Sequence, residues 1–452
     1  MDKPPFCLNA HVSLACEMQQ MRLKLNQPNY DLLKELCYEE WEKCKTKVVD
    51  LTGNSTFNVG SPKQVQSFFY RELKLKPKTK RGTGKETSDE DALRELRVQY
   101  PQHKEVLNAI IEERHIKKRI ESYIEFRLDD DGYIPYSANP AGTETNRWSF
   151  SKSPRNRGFN AQTPPKTMRI MCDAPPGHIF ICPDLPQADA RVVAWDAQCL
   201  RQIELFNDPT RQFHLENSIG IKGLTKEQVY EPSFKETELY TVGKRRGHAA
   251  NYRQQAQRLA MDLGCDKKYA QWLLDDYFRK APEILRWHDI IKERIRKYGG
   301  LHTPQPFNRF RTFYTAWAEL LLRGKISNSS WNEACAHIPQ SAVADIINVG
   351  MEKLWEGKAY VRFHLHHHDS YLASVPYTNL GEACMAALEA LKVTLMIHNR
   401  PLTMVPDMQV GYNYGLMVPW KGESILTYDN WYARVEKKLD REKIRKGLYG
   451  YY

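Results

Sequence analysis

Two apolar runs that each finish on an aspartate, far apart in the chain, restrict the fold of this protein more than any other feature. The first, HIFICPDLPQADARVVAWDA (residues 178 to 197), begins as a strand, reaches Pro183-Asp184 at the strand end and continues with helical spacing. The second, YVRFHLHHHDSYLASVP (residues 360 to 376), alternates apolar and polar residues on both sides of His368-Asp369. That alternation predicts two antiparallel strands turning at the pair, with Asp369 at the tip. Carboxylates on two adjacent strands can hold two Mg²⁺ ions about 3.5 to 4 Å apart, one activating an attacking oxygen and one stabilising the leaving oxygen of a phosphoryl transfer. The crowded histidines invite a different metal reading, but imidazole suits zinc or copper whereas carboxylate oxygen suits Mg²⁺. His364 and His366 alternate with Phe363 and Leu365 on one strand, and no distant ligands at zinc spacing accompany them. The histidines are therefore read as neighbours of the aspartate site.

The long stretch between the two aspartates is largely helical in pattern. Residues 241 to 300 read as helix throughout, and within them GKRRGHAANY (243 to 252) places Lys244, His248 and Tyr252 at i, i+4 and i+8 with Arg245 beside them. One helix face would then offer two cations, an imidazole and an aromatic ring. That suits a triphosphate, with His248 able to protonate departing pyrophosphate, or equally a solvated basic face with Tyr252 in the core. Residues 338 to 355 carry Val343, Ile346, Ile347, Gly350 and Leu354 on a single helical face. Upstream, residues 29 to 50 form an amphipathic pattern, and residues 89 to 128 form a second one interrupted near Pro101. Between these lies KLKPKTKRGTGKETS (74 to 88), expected to be flexible, either as a solvated loop or as a clamp on a phosphate backbone.

Composition narrows the partners. A chain of 452 residues exceeds one ordinary core, so roughly two to four subdomains are expected. The 66 Lys and Arg against 55 Asp and Glu give a net charge of +11, which favours nucleic acid over an acidic small molecule. No apolar run approaches a membrane span of roughly 18 residues, and the opening MDKPPFCLNAH lacks a signal-peptide core. A soluble, intracellular protein without membrane association is expected. Ten cysteines without a C-x-x-C pair argue against zinc ribbons and a disulfide framework.

Taken in order, these stretches resemble the polymerase region of family A DNA polymerases, the bacterial DNA polymerase I family and its phage relatives. FNVGSPKQVQSFFYRELKL (57 to 75) and the basic stretch after it are similar to the thumb and its tip, and TNRWSFSKSPRNRGFNAQTPP (145 to 165) to the family's T-G-R-L-S-S…N-L-Q-N-I-P segment. DLPQADAR (184 to 191) resembles motif A, GKRRGHAANY motif B, TPQPFNRFRTF (303 to 313) the T-P-x-G-R-R-R-x-F segment and IPQSAVADII the Q-G-T-A-A-D-I helix. HHDS resembles motif C, and PLTMVPDMQVGYNYG (401 to 415) the closing palm segment. The resemblance covers most of the chain.

It implies an α+β right-hand polymerase fold with an antiparallel-sheet palm, helical fingers and a helical thumb. The thumb would span 1–130 with its basic tip at about 74–88, the palm 131–202 and 326–452, and the fingers 203–325. The implied activity is DNA-directed DNA synthesis, in which a primer 3′-OH attacks the α-phosphate of a dNTP. Asp184 and Asp369 would bind two Mg²⁺, with Mn²⁺ able to substitute, and His248 would join them as general acid. Lys244, Arg245, His248, Tyr252, Gln187 and Asp189 would contact the dNTP. Arg147, Asn160, Gln162, Gln340 and His368, with Lys78, Lys80, Arg81 and Lys85 of the thumb tip, would contact primer-template DNA. A cytoplasmic monomer replicating a phage genome in a bacterial host is the implied setting. The resemblance begins almost at the N-terminus, so an exonuclease or processivity function is expected from a separate chain. The alternatives are a non-catalytic DNA-binding homologue and a palm-fold polymerase with relaxed sugar selectivity.

Several positions depart from the family pattern. Asp189 stands where glutamate blocks a ribose 2′-hydroxyl, which predicts weaker ribonucleotide rejection. His248 stands for lysine, Arg253 and Gln255 for glycines, and Ser370 for the glutamate after the motif C aspartate. Tyr252 replaces a common phenylalanine, which predicts ready acceptance of dideoxynucleotides.

Overall fold

A five-stranded antiparallel sheet carries both aspartates. In the computed structural model, which describes residues 8–80 and 82–449, the strands are β1 (His178–Asp184), β2 (Arg362–His366), β3 (Tyr371–Pro376), β4 (Asp407–Gly411) and β5 (Val418–Pro419). Their order is β5-β4-β1-β3-β2. Alternation sets the register: on β1 Ile179, Ile181 and Pro183 are buried while Cys182 and Asp184 face the open side, and a one-residue slip would invert this. The His367 N–H donates to the Ser370 carbonyl at 2.8 Å and closes the turn between β2 and β3 on His368 and Asp369, as the alternation predicts. The Leu185 N–H in turn donates to the Asp369 carbonyl at 2.9 Å, and Asp184 pairs with Ser370 across the strands.

Helices cover the sheet and extend from it as two lobes. α1 (Leu8–Met21), expected to lead into the thumb, packs instead on β2, and its Leu14 and Met18 belong to the main core. α2 (Gln27–Thr52) starts at Asn26, whose side chain accepts the Asn29 N–H at 2.9 Å, and stops at Gly53, where φ is +65°. α3 (Glu90–Gln99) and α4 (Lys104–Tyr123) flank a short turn at Pro101, where the interruption was expected. Val48, Phe69, Leu93, Leu107 and Ile110 form a separate core at the far end of this N-terminal lobe.

The basic stretch at 74–88, expected to be flexible, is partly closed on itself among its described residues. Thr79 pairs with Glu86, the Lys80 N–H donates to the Lys85 carbonyl at 2.8 Å, and the Thr87 N–H to the Lys78 carbonyl at 2.9 Å. Cross-strand bonds absorb backbone groups that composition alone leaves to water.

After β1 come α5 (Ala188–Asp196) and, within a helical insertion, α6 (Glu238–Asn251), α7 (Ala256–Leu263), α8 (Lys267–Lys280) and α9 (Pro282–Tyr298). The region expected to be helical throughout 241–300 is therefore divided into four helices, with a break inside its first stretch. α6 ends at Asn251, Tyr252 caps it, and Arg253 adopts φ +56°. That left-handed conformation costs a non-glycine residue about 1–2 kcal/mol. The Arg253 guanidinium offsets it by stacking 3.5 Å from the Trp331 ring centroid and donating to Asn328 Oδ1 at 2.9 Å. α10 (Asn328–Gly357) crosses the main core, α11 (Leu380–Ala390) covers the back of the sheet, and α12 (Tyr428–Val435) and α13 (Arg441–Leu448) complete the chain.

The two lobes meet. Arg258 of α7 lies 2.7 Å from Asp91 of α3, Arg97 Nη2 donates to the Met261 carbonyl at 3.2 Å, and Arg94 lies 3.7 Å from Asp262. The nine cysteines among the described residues are free, and no described helix is long and apolar enough to cross a membrane.

Candidate active site

Asp184 and Asp369 line one cavity of about 550 Å³, with Gln162, Lys166, Arg169 and Ser370 among its other walls. Burial and then the neighbouring Asp369 and Asp407 push the Asp184 carboxyl well above the usual carboxylate range; Lys166 and a hydrogen bond with Ser370 oppose them. Asp407 stands directly across from Asp184 on β4. The Asp369 carboxyl reaches the cavity surface but is hemmed in by protein, and burial followed by the Asp189 charge raises it also. Two oxygen-donor groups strained by mutual repulsion fit a hard divalent cation. Mg²⁺ in particular is usually held by one or two carboxylates plus substrate oxygens. Among the described residues no cluster of three or more His, Cys, Asp or Glu could form an all-protein metal cage.

The histidines that surround the turn are packing groups. His364 Nδ1 donates to the Arg22 carbonyl at 2.8 Å, leaving Nε2 to accept from the Ser374 hydroxyl at 2.9 Å. His366 stacks on Trp148 with centroids 5.4 Å apart and planes 4° from parallel. His367 Nε2 sits 2.6 Å from the Tyr414 hydroxyl. Burial pushes His364 down to about 4 and His367 to about 3, and His366 well below its ordinary value, so all three are neutral.

A second constellation gathers where α5 faces α6. The Tyr252 hydroxyl donates to Asp189 Oδ2, and Arg147 Nη2 reaches the same oxygen at 3.2 Å. A hydrogen bond with Gln340 also reaches Tyr252. His248, one turn before the helix end, has its ring centroid 4.6 Å from that of Tyr252. Burial lowers the His248 pKa, and Lys244 and Arg147 add to this, while Asp189 and Asp262 oppose it. Lys244 is exposed on the same helix, and Gln187 heads α5 with φ +57°.

Sequence reasoning missed His214. Burial and the charges of Lys244 and His248 push it down to about 4, so it stands beside both. It lies on a separate short helix, Phe213–Glu216, and single-helix spacing cannot reveal it.

Other expected contacts are arranged differently. Arg245 Nη1 donates to the Asp262 carbonyl of α7, so a neighbouring helix engages one arm of its guanidinium. Arg147 is held on Asp189, with its side chain 14% exposed. Gln162 Nε2 donates to the carbonyls of Trp148 (3.1 Å) and His366 (2.6 Å), and its N–H is accepted by Asn160 Oδ1 at 3.0 Å. Gln162, which lines the cavity, is thereby braced in its wall, and Asn160 supports it from behind. His368 is exposed beside Asp369. At the tip of the N-terminal lobe Lys80 and Lys85 are exposed, whereas Lys78 lies 2.8 Å from Glu95 with its side chain 16% exposed. Arg81 lies outside the described residues.

An antiparallel sheet presenting one aspartate at a strand end and another in the neighbouring turn, flanked by a helical lobe on either side, defines the right-hand polymerase class. Residues 29–415 match the model of DNA polymerase family A, and the chain belongs to that family. It is 25% identical over 404 residues to the thermostable DNA polymerase I of Thermus filiformis, covering 87% of this chain and 46% of that one. It is 23% identical over 412 residues to DNA polymerase I of Bacillus caldotenax, covering 89% and 44%. The chain thus spans about half the length of these curated relatives. Its fold is similar to the POL domain of Pol1 from M. smegmatis, solved in complex with DNA primer-template and dNTP. The TM-score is 0.72 at 20% identity, over 90% of this chain and 70% of that one.

Proposed function

We propose that the protein is a DNA-directed DNA polymerase that adds dNTPs to a primer 3′-OH. The observation that carries this is the presence in one cavity of Asp184, at the end of β1, and Asp369, in the turn that leads into the adjacent strand β3. Asp184 and Asp369 would hold Mg²⁺, which when bound would lower the barrier by activating the attacking oxygen and stabilising the leaving one. Lys244 is placed to meet the triphosphate, with His248 and His214 beside it. Binding that polyanion raises both imidazole pKa values, which makes His248 a competent proton donor at the pyrophosphate end. Tyr252 and Asp189 face the sugar, and Asn160 and Gln162 keep the cavity wall in place. Lys80 and Lys85 face solvent at the tip of the thumb and would meet duplex phosphates, so affinity should fall steeply with salt. The thumb, palm and fingers follow from this reading at about 1–130, 131–202 with 326–452, and 203–325, with α1 reassigned to the palm. Extension of a labelled primer with Mg²⁺ and dNTPs tests the reading, and a purified protein that binds primer-template but never extends it would favour the non-catalytic homologue.

Two specificity predictions arise here. Asp189 is one methylene shorter than glutamate and is drawn to Arg147 and Tyr252, so it projects less far toward a 2′-hydroxyl. Asp189→Glu is expected to raise the dNTP over rNTP preference about tenfold in single-nucleotide kcat/KM, equivalent to about 1.4 kcal/mol. Unchanged discrimination would contradict this. The Tyr252 hydroxyl, which donates to Asp189, would partly replace a missing 3′-OH on the incoming nucleotide. Tyr252→Phe should therefore lower dideoxynucleotide incorporation about tenfold or more relative to dNTP. Equal chain termination by parent and variant would refute it.

A further inference from the structure

Residues 416–449 lie beyond the span matched to the family model, yet they return to the catalytic cavity. α12 is pinned to the sheet edge by Trp431 Nε1, which donates to the Leu416 carbonyl at 3.1 Å. α13 lies on α2 of the N-terminal lobe. There Arg441 bonds Glu35 (2.6 Å) and Glu39 (3.0 Å), Arg445 bonds Glu39 (2.8 Å), and the Tyr449 hydroxyl donates to Glu40 (2.6 Å). The segment is therefore a strap from the sheet to the base of that lobe. It also presses on the turn Lys166–Met171: a Cβ at Gly447 would come within 2.1 Å of Thr167 Oγ1.

Between its two anchored helices the strap carries Lys438 into the wall of the cavity that holds Asp184 and Asp369. Its Nζ donates to the Met417 carbonyl at 3.0 Å. The charges acting on it, Arg434 and Lys166, are both positive, and Arg434 is itself paired with Glu423 at 2.9 Å. Lys166 and Arg169 line the same cavity, Arg169 stacking 4.8 Å over the Tyr414 ring. Three cations thus converge on a partly enclosed space, and the acids that line it are the catalytic pair, which the cofactor would occupy. Such an arrangement asks for an additional anion.

The cavity lining separates two phosphate sources. Lys166, Arg169 and Lys438 line the cavity, whereas no residue of α6, the helix that carries Lys244, does. The triphosphate end therefore belongs with α6, and the phosphates met by the three cavity cations are those of the primer strand.

We propose that Lys438, delivered by the C-terminal strap and acting with Lys166 and Arg169, binds primer-strand phosphodiesters next to the catalytic aspartates. This rests on the polymerase reading above. The test is primer-template binding by fluorescence anisotropy over a salt series, without dNTP, for the full chain, Lys438→Ala and Lys438→Arg. Lys438→Ala should weaken binding about three- to tenfold and reduce the slope of log affinity against log salt by about one. Lys438→Arg should restore both, and the KM for dNTP should not move. Replacing the terminal primer phosphodiesters by methylphosphonates should weaken the parent and erase its advantage over Lys438→Ala. Unchanged affinity and slope in Lys438→Ala would overturn the proposal. So would a loss seen only in the KM for dNTP or for pyrophosphate in the reverse reaction, or a loss that arginine does not rescue and a lower melting temperature accompanies. A parent that binds and extends primers while Lys438→Ala matches it sinks this inference alone; a parent that does neither sinks the polymerase reading with it.

Discussion

Asp369→Asn is expected to cut primer extension by at least about a thousandfold, about 4 kcal/mol of transition-state stabilisation, while making the metal-free protein more resistant to heat. Activity falls because the amide keeps the shape of the turn but not the charge that holds a cation. The turn survives because its bonds are backbone ones: the His367 N–H to the Ser370 carbonyl and the Leu185 N–H to the Asp369 carbonyl. Stability rises because Asp369 is one of the charges that hold the Asp184 pKa up. An acid whose pKa is higher folded than unfolded binds its proton more tightly when folded. Folding therefore loses stability as pH climbs from the unfolded value near about 4 through the raised folded value. At pH 8 in EDTA the parent carries the full penalty and the variant only part of it. Adding Mg²⁺ should raise the melting temperature of the parent by mass action and leave the variant nearly unmoved. A variant that melts lower than the parent in EDTA, or extends primers at a comparable rate, would contradict the assignment.

Asp276→Ala should cost about 3–5 kcal/mol, the largest expected loss of stability from a single truncation in the helical insertion. Arg246, on the inner side of α6, is 1% exposed, and Asp276 of α8, its ion-pair partner, is 6% exposed. Lys280 adds a contact at 2.8 Å to the same carboxylate, and Arg279 a further one. Truncation leaves the Arg246 guanidinium charged, buried and unpaired, which is far worse than never having had the pair. The double change Arg246→Met with Asp276→Leu should recover most of the loss, because no uncompensated charge then remains. Urea unfolding monitored by circular dichroism reads both. A cost below about 1 kcal/mol for Asp276→Ala would show that water reaches Arg246.

The parts of the fold legible in the sequence are those governed by near neighbours. The strands ending at Asp184 and Asp369 and the turn at His368-Asp369 follow from alternation over a few residues. α2 follows from its apolar spacing together with the Asn26 cap and Gly53 stop. The helix break at Asn251 was illegible because Ala-Ala-Asn-Tyr-Arg-Gln-Gln-Ala contains no helix-stopping residue. What holds Arg253 in its left-handed conformation is Trp331, distant in the chain. The same limit hid His214, which joins Lys244 and His248 only in three dimensions. It also hid the partial closure of 74–88, whose lysines signal solvent while Thr79 pairs with Glu86. Arg147 shows the mixed case: the sequence offers it as a contact to primer-template DNA, but its bond to Asp189 depends on a loop and a helix that meet only in the folded chain.

The bridge between α3 and α7 has a mechanical consequence. Arg258 and Asp91 are 48% and 61% exposed, so their attachment is worth under about 1 kcal/mol and weakens as counterions accumulate. Arg94 and Asp262 make a second, less exposed pair, and Arg97 adds a hydrogen bond to the Met261 carbonyl. The two helical lobes are therefore joined by contacts weaker than the core within either one, and raising the ionic strength should loosen the joint before it loosens the lobes themselves.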